Sequence, residues 1–237
     1  MRTTLFAVAA LLVVASAYPR GPDGRLLIVD DDHSFRAPAR ALNTLANHGY
    51  LPRDGKNITK MDIITGLFQG FNVGRDIGLI LANVVFKKYG TNTVSLLDLQ
   101  KHNMIEHDAS MTRNDNALGD STLVNATLLQ GLFDSSSDKK VITWKDMVAY
   151  RRIRHADSKL RNPNFVWTED QKKSASGEVT IFQLVFGEWS TGVALDVAKS
   201  IFKFEKLPLG WKPHAGTVLA IDVLPRQAMV ALLMDSK

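Results

Sequence analysis

One short string concentrates side chains that can do chemistry, since Glu106, His107, Asp108 and Ser110 fall within five residues. Carboxylate and hydroxyl oxygens are the ligands that hard divalent cations prefer. A histidine between two carboxylates is also placed to accept a proton and pass it on near neutral pH. Considered alone, the string is explained more simply as a solvated loop, because clustered ionisable groups mark functional sites only statistically.

Other charged features have structural explanations. Arg113 and Asp115 are predicted to be ion-paired surface residues. His48 precedes a glycine at a predicted helix C-terminus, where a packing or capping role is expected. The basic string RRIR at residues 151–154 is predicted to be a solvated helix face, because no aromatic residues are interleaved with it as in a nucleic-acid patch. The remaining histidines lie in polar contexts and are predicted at the surface: His33, His102, His155 and His214.

Several established catalytic motifs are absent from the 237 residues: HExxH, GxSxG, the P-loop and GxGxxG. Their absence argues against zinc proteases, α/β-hydrolases, P-loop NTPases and dinucleotide-dependent enzymes. The chain also contains no cysteine. Disulfides are therefore excluded, and the fold must be held together by its core.

The elements that must position these side chains are helices, because apolar residues recur at helical spacing and strict alternation is scarce. Thr59 is predicted to cap the first helix, and Gly90 to end the second. Asn72 and Gly74 are expected at a helix junction, since glycine costs about 1 kcal/mol inside a helix. Residues 135–137 and 172–176 are predicted to be polar loops. The predicted helices cover residues 59–71, 77–89, 121–133, 143–160, 178–186 and 192–204.

The N-terminus predicts a signal peptide over residues 1–17, with Arg2, an apolar run over residues 5–14 and the small-residue cleavage site ASA. The apolar run is too short to span a bilayer. Residues 18–237 are expected to form one domain, because 45% of the chain is hydrophobic. Sequons begin at Asn57 and Asn125. We therefore expect a secreted glycoprotein with no membrane or nucleic-acid partner after cleavage.

Several strings together resemble the fungal chloroperoxidase family, the heme haloperoxidases, and in particular the short unspecific peroxygenases. The strings are ALNTLANHGYLPRDGKNIT at residues 41–59, EHDASMTR at 106–113 and ALGD at 117–120, followed by NPNF at 162–165, GEVTIFQLVFG at 177–187 and FEKLPLGW at 204–211. The resemblance implies an all-α, single-domain helical bundle around a heme pocket. It also implies heme b and the use of hydrogen peroxide to oxidise, halogenate or oxygenate small organic substrates.

The same resemblance implies site residues. A magnesium or manganese ion beside a heme propionate falls on the side chains of Glu106 and Ser110 and on the backbone carbonyl of His107. The distal acid–base glutamate, which moves the peroxide proton, falls on Glu178, with Glu188 as the alternative. His107 takes a second role as the residue that orients this glutamate. We expect a buried, apolar setting to raise the pKa of Glu178 toward neutral pH.

One essential residue of the family is missing. A gapless alignment places Ala39 at the axial cysteine of the family's Pro-Cys-Pro motif, and alanine cannot ligate iron. A second alignment instead removes about ten residues that include the motif, as a deletion would, and it explains the short segment upstream as well. His33 is the nearest alternative ligand, since histidine often ligates heme.

Two hypotheses follow. The first is a secreted heme peroxidase or peroxygenase that lacks its axial cysteine in this chain. The second is a non-catalytic family member that acts as a secreted ligand-binding or interaction protein. Retention of Glu106, His107, Ser110 and Glu178 favours the first hypothesis, and the missing cysteine favours the second.

Overall fold

A computed structural model describes residues 40–235, and the predicted leader, His33 and Ala39 lie outside that range. Within it the chain forms eight α-helices and two small two-stranded sheets, which confirms the expected all-α fold. The helices are α1 (Arg40–Asn47), α2 (Lys60–Phe71), α3 (Arg75–Tyr89), α4 (Ala126–Asp134), α5 (Trp144–Arg161), α6 (Glu169–Phe186), α7 (Leu195–Phe204) and α8 (Ala220–Asp235). The strands are β1 (Ile58–Thr59), β2 (Thr93–Val94), β3 (Val141–Ile142) and β4 (Val193–Ala194), and a 3₁₀ turn covers Asp98–Gln100.

Local capping explains where three of the helices begin. Thr59 accepts a hydrogen bond from the backbone of Asp62, whose carboxylate accepts the Thr59 N–H, so the predicted cap of α2 is confirmed. The same reciprocal arrangement starts α5 at Thr143 and α6 at Thr168. Each such cap satisfies backbone donors that a helix start would leave unpaired.

Most predicted helix boundaries are confirmed, and two are corrected. Asn72 adopts the left-handed conformation (φ 54°) between α2 and α3, and Gly90 does so after α3 (φ 65°). Residues 172–176, predicted to be a loop, lie inside α6, because the Thr168 cap starts this helix nine residues before Glu178. Helix α4 begins later than predicted, because the Asn125 side chain caps it.

The helices pack as two connected groups. Helix α6 lies along α8, α5 contacts both of them, and α2 packs against α3. The strands pair antiparallel, β1 with β2 (Ile58 opposite Val94) and β3 with β4 (Ile142 opposite Val193), and they tie loop ends together. Each segment on its own is too short to form an independent sheet. No helix within residues 40–235 is long and apolar enough to cross a bilayer.

Helix α1 is attached to the end of α7 by buried polar contacts. Asn43 Nδ2 donates to the Glu205 carboxylate at 2.8 Å, and Asn47 Nδ2 donates to the Glu205 carbonyl at 3.0 Å. His48, just after α1, accepts the Leu207 N–H at Nε2 (2.9 Å) and is 2% exposed. The packing role predicted for His48 is therefore confirmed.

Burial gives His48 a pH-dependent contribution to stability. Burial, and then the charges of Arg53 and Lys206, lower the pKa of His48 from 6.5 to about 4. The folded chain thus disfavours protonation, so this contribution is present above pH 6.5 and is lost as the pH falls toward 4. We predict that His48→Gln, which retains an acceptor for Leu207 but does not titrate, loses about 3 kcal/mol less stability than the wild type between pH 7 and pH 4.

Urea unfolding at several pH values measures this difference. Both proteins are compared with their own stability at pH 7, where His48 is neutral whether the chain is folded or unfolded. Parallel stability curves for the two proteins from pH 7 to pH 4 would contradict the prediction.

Candidate active site

The string Glu106–Ser110 forms a buried loop rather than a solvated one. Ala109, at its centre, is 0% exposed and has a φ of 58°, in the left-handed region. Helix α5 holds the loop by its backbone: Arg151 Nη1 donates to the Ala109 carbonyl and Arg154 Nε to the Ser110 carbonyl, both at 2.9 Å. Two arginines of α5 therefore fix the position of the loop.

Glu178, on α6, lies against this loop. Arg151 Nη2 donates to Glu178 Oε2 at 2.6 Å, and His107 Nε2 lies 3.5 Å from Glu178 Oε1. The Glu178 side chain is 51% exposed, so a small molecule can reach it. The structure thus brings together the two residues predicted to be catalytic.

The ionisation of Glu178 differs from the expectation. Partial desolvation of the carboxylate raises its pKa, but the charge of Arg151 and the proximity of His107 outweigh desolvation and lower the pKa to about 2. The expectation that an apolar setting raises this pKa is wrong, because the setting contains a buried guanidinium. Glu178 is therefore a carboxylate at neutral pH.

His107 has one ring nitrogen on each side of this site. Its Nδ1 lies 2.7 Å from the Asp108 carbonyl, which can only accept, so Nδ1 donates. Its Nε2 lies 3.5 Å from Glu178 Oε1 and has no hydrogen-bond partner among residues 40–235. The Trp167 ring packs edge-to-face against the imidazole, with centroids 5.8 Å apart. His107 Nε2 and the Glu178 carboxylate therefore face each other directly.

Glu106 is held by a histidine that was predicted at the surface. His102 Nδ1 lies 2.6 Å from Glu106 Oε2, and the His102 side chain is 24% exposed, so this residue is half-buried and paired instead of freely solvated. Glu106 Oε1 is buried without a hydrogen-bond partner. Burial raises the pKa of Glu106 although the hydrogen bond and charge of His102 oppose it. Asp108 is 0% exposed, and burial followed by the charge of Asp115 raises its pKa as well.

An orphaned carboxylate oxygen is the kind of atom that a hard cation satisfies. Across residues 40–235, no three His, Asp or Glu side chains are grouped to hold a metal ion. Magnesium needs only one or two protein carboxylates, because it retains several waters. Glu106 with the Ser110 hydroxyl and the His107 carbonyl is therefore chemically compatible with such an ion.

Four residues that were predicted at the surface are buried. Arg151 and Arg154 are 1% and 3% exposed, so the predicted solvated face of α5 is wrong there. Arg113 and Asp115 are 4% and 1% exposed. Burial, and then the charge of Arg40, lowers the pKa of Arg113 to about 10. The sequence alone does not indicate the burial of these residues, because charged side chains are rarely buried unless they are paired.

The remaining site predictions lie elsewhere. Glu188, the alternative acid–base residue, is exposed and pairs with His214 at 3.0 Å. His155 packs against Phe165 and Trp167 instead of facing solvent freely. At the start of α1, next to Ala39, Arg40 forms an ion pair with the buried Glu205 carboxylate. Two open surface depressions, of about 260 and 680 Å³, are lined by none of the candidate site residues.

Known proteins that are similar to this chain are peroxidases and peroxygenases. The model of the family described as "Peroxidase, family 2" matches residues 29–216. The chain is 31% identical to an aromatic peroxygenase of Cyclocybe aegerita over 86% of this chain and 66% of that protein. It is 29% identical to an aromatic peroxygenase of Coprinellus radians (78% of this chain, 84% of that protein) and 29% identical to a chloroperoxidase of Leptoxyphium fumago (75% and 54%). The chain thus spans slightly less than two thirds of the Cyclocybe protein and about half of the Leptoxyphium protein.

The contact between Arg151 and Glu178 generates a prediction. Arg151→Gln removes the main charge that lowers the Glu178 pKa, which should rise from about 2 toward its ordinary value of 4.5. Carbon-13 NMR titration of the glutamate carboxyl carbons measures this pKa. Arg152→Gln, which removes the neighbouring arginine of α5, is the matched control and should leave it unchanged. A Glu178 pKa that stays near 2 in Arg151→Gln would show that another group holds the carboxylate ionised.

Proposed function

Since this chain belongs to peroxidase family 2, we propose that it acts on hydrogen peroxide and a small organic substrate at Glu178 and His107. The observation that carries the proposal is the position of Glu178. Its carboxylate is oriented by Arg151 at 2.6 Å and lies 3.5 Å from His107, while half of its side chain is exposed. An accessible carboxylate beside an imidazole can take a proton from bound peroxide and return it to the other oxygen.

The residues around this pair have distinct tasks. Arg151 fixes the carboxylate and stabilises its negative charge. The Asp108 carbonyl fixes the ring of His107 through Nδ1, and Trp167 packs against that ring. These contacts leave Nε2 directed at Glu178, so the proton has a defined path between the two side chains.

The family is one of heme peroxidases, and heme is therefore the implied redox group. A thiolate-bound heme does not fit this chain, because none of the 237 residues is cysteine. Three described histidines are engaged by polar partners: His48 by Leu207, His102 by Glu106 and His107 by Asp108. Any protein ligand to a heme iron in this chain would therefore differ from the cysteine of the family.

We further propose that Glu106, Ser110 and the His107 carbonyl hold a magnesium or manganese ion. The buried, unpartnered Glu106 Oε1 supports the proposal, since a cation would satisfy this atom. The bound ion would supply positive charge that neutralises an anionic group nearby.

A second candidate function is a non-catalytic one, in which the chain binds a small apolar ligand or a partner without oxidising it. The absence of cysteine favours it. The ion pair of Arg40 with Glu205 favours it as well, because it places a cation next to the position of the expected iron ligand. Secretion after cleavage of residues 1–17 and glycosylation at Asn57 or Asn125 are proposed for both functions, on the leader and sequons alone.

Absorption spectroscopy tests directly whether a thiolate ligates heme iron in this chain. We predict that the chain secreted from yeast and titrated with hemin gives no thiolate-type absorption band in its reduced, carbon monoxide-bound form. Ala39→Cys should produce that band if the gapless alignment is correct, and Ala41→Cys, two residues along, should not. A thiolate-type band from the unaltered chain would refute the prediction. Absence of stoichiometric heme and of peroxide turnover in both the unaltered chain and Ala39→Cys would favour the non-catalytic function.

The role of Glu178 is tested in the unaltered chain or in Ala39→Cys, whichever of the two oxidises a phenolic dye with peroxide. Glu178→Gln removes the proton acceptor and should lower kcat/KM for peroxide about 100-fold or more, with heme content unchanged. Glu188→Gln is the control, since Glu188 pairs with His214 on the surface, and it should retain full turnover. Undiminished turnover in Glu178→Gln would assign the proton transfer to another group.

A further inference from the structure

The C-terminal part of α5 carries a polar stripe that faces inward. Arg151, Arg154, Ser158 and the capping residue Asn162 follow the spacing i, i+3, i+7, i+11, which places them on one helix face. All four are at most 5% exposed. Buried polar side chains are retained where they satisfy specific partners, and here each of the four side chains has a partner in the chain segment 109–115.

Asp115 is the residue on which this stripe converges. Its Oδ1 accepts hydrogen bonds from the Ala109 N–H (2.9 Å) and the Ser158 hydroxyl (3.0 Å), and Arg154 Nη2 lies 3.6 Å away. Its Oδ2 accepts from Asn162 Nδ2 at 3.0 Å. Asp115 is 1% exposed, so its charge is compensated entirely by these donors.

Ala109 explains why such an anchor is needed. A non-glycine residue at a φ of 58° is strained by about 1–2 kcal/mol relative to the right-handed region. Asp115 accepts the N–H of Ala109, and Arg151 donates to its carbonyl. Both peptide groups of the strained residue are thus held, and the residue lies between Glu106 and Ser110.

We propose that Asp115 is a positioning residue for cation binding by the loop 106–110. It holds Ala109 in the left-handed conformation, and this conformation sets the placement of Glu106 and His107 relative to Ser110. This inference rests on the proposed ion site and adds to it a residue that contacts none of the three proposed ligands. Asp115 acts through Ala109 rather than by touching the ion.

The chemistry requires a carboxylate at this position. The four groups that hydrogen-bond or ion-pair with the Asp115 carboxylate are all donors, and an ionised carboxylate accepts on both oxygens. An asparagine would direct its own NH₂ group at one set of these donors. Asp115→Asn therefore loses contacts without a change in side-chain size, and it should weaken the hold on Ala109.

Mn²⁺ binding to the full chain tests the proposal without any measurement of activity. Electron paramagnetic resonance of the free Mn²⁺ measures this binding. Asp115→Asn should weaken Mn²⁺ binding about 10- to 100-fold, as loss of an orienting residue next to a metal ligand does. Ala109→Gly should restore most of that loss in the double variant, because glycine adopts a positive φ without strain. Lys139→Gly is the matched control: Lys139 is exposed at a φ of 60° in a turn far along the chain, so it should restore nothing.

Hydrogen exchange of the amides of residues 106–112 gives a second, independent readout. Asp115→Asn should accelerate exchange there, and Ala109→Gly should slow it again. Mn²⁺ affinity and exchange rates that both remain at wild-type values in Asp115→Asn would overturn the proposal. So would equal rescue by Lys139→Gly, because that would indicate a general effect on stability.

The ion site and the positioning role of Asp115 are tested separately. If the unaltered chain does not bind Mn²⁺, the proposed ion site is wrong, and the exchange rates alone decide whether Asp115 positions the loop. If the unaltered chain binds Mn²⁺ and Glu106→Gln abolishes binding while Asp115→Asn does not change it, the ion site stands and the role of Asp115 is wrong.

Discussion

A single buried guanidinium connects the parts of this site. Arg151, which is 1% exposed, donates to the Ala109 carbonyl with one nitrogen and to the Glu178 carboxylate with another. A buried charge is tolerated only where its partners are kept in place, since removal of one partner leaves an uncompensated charge that costs several kcal/mol. The loop, α5 and α6 therefore cannot move independently. The accessibility of Glu178 and the position of His107 both follow from this constraint.

One part of the expected heme site is retained in this chain and another part is not. Glu178 and His107, the residues proposed to handle the proton, lie 3.5 Å apart. Directly after Ala39, the position of the iron ligand in the gapless alignment, Arg40 begins α1 and pairs with Glu205. A guanidinium cannot ligate iron, and a buried carboxylate beside it is a stable arrangement in its own right. Helix α1 is consequently docked by the chain's own contacts, and its placement among the described residues does not depend on a cofactor.

Features that depend on residues close together in the sequence could be predicted, and features that depend on distant residues could not. Helix starts at Thr59 and Thr143 were predictable, because a capping box lies within four residues. The early start of α6 was not predicted, because residues 172–176 are polar and only the cap at Thr168 marks this start. The buried face of α5 was missed for a different reason. Arginine is usually exposed, and only the partners Ala109, Asp115 and Glu178, distant in sequence, explain its burial. The spacing of 151, 154, 158 and 162 was the available signal.

The low pKa of Glu178 has a consequence for how a proton would be handled. A general base is most effective when its pKa lies near the working pH, and a carboxylate with a pKa of about 2 holds a proton poorly. His107 faces that carboxylate with Nε2, while its Nδ1 is committed to the Asp108 carbonyl. In the proposed reaction this carboxylate accepts the hydrogen bond of an incoming hydroxyl group. Arg151 makes this possible, because its charge keeps the carboxylate ionised.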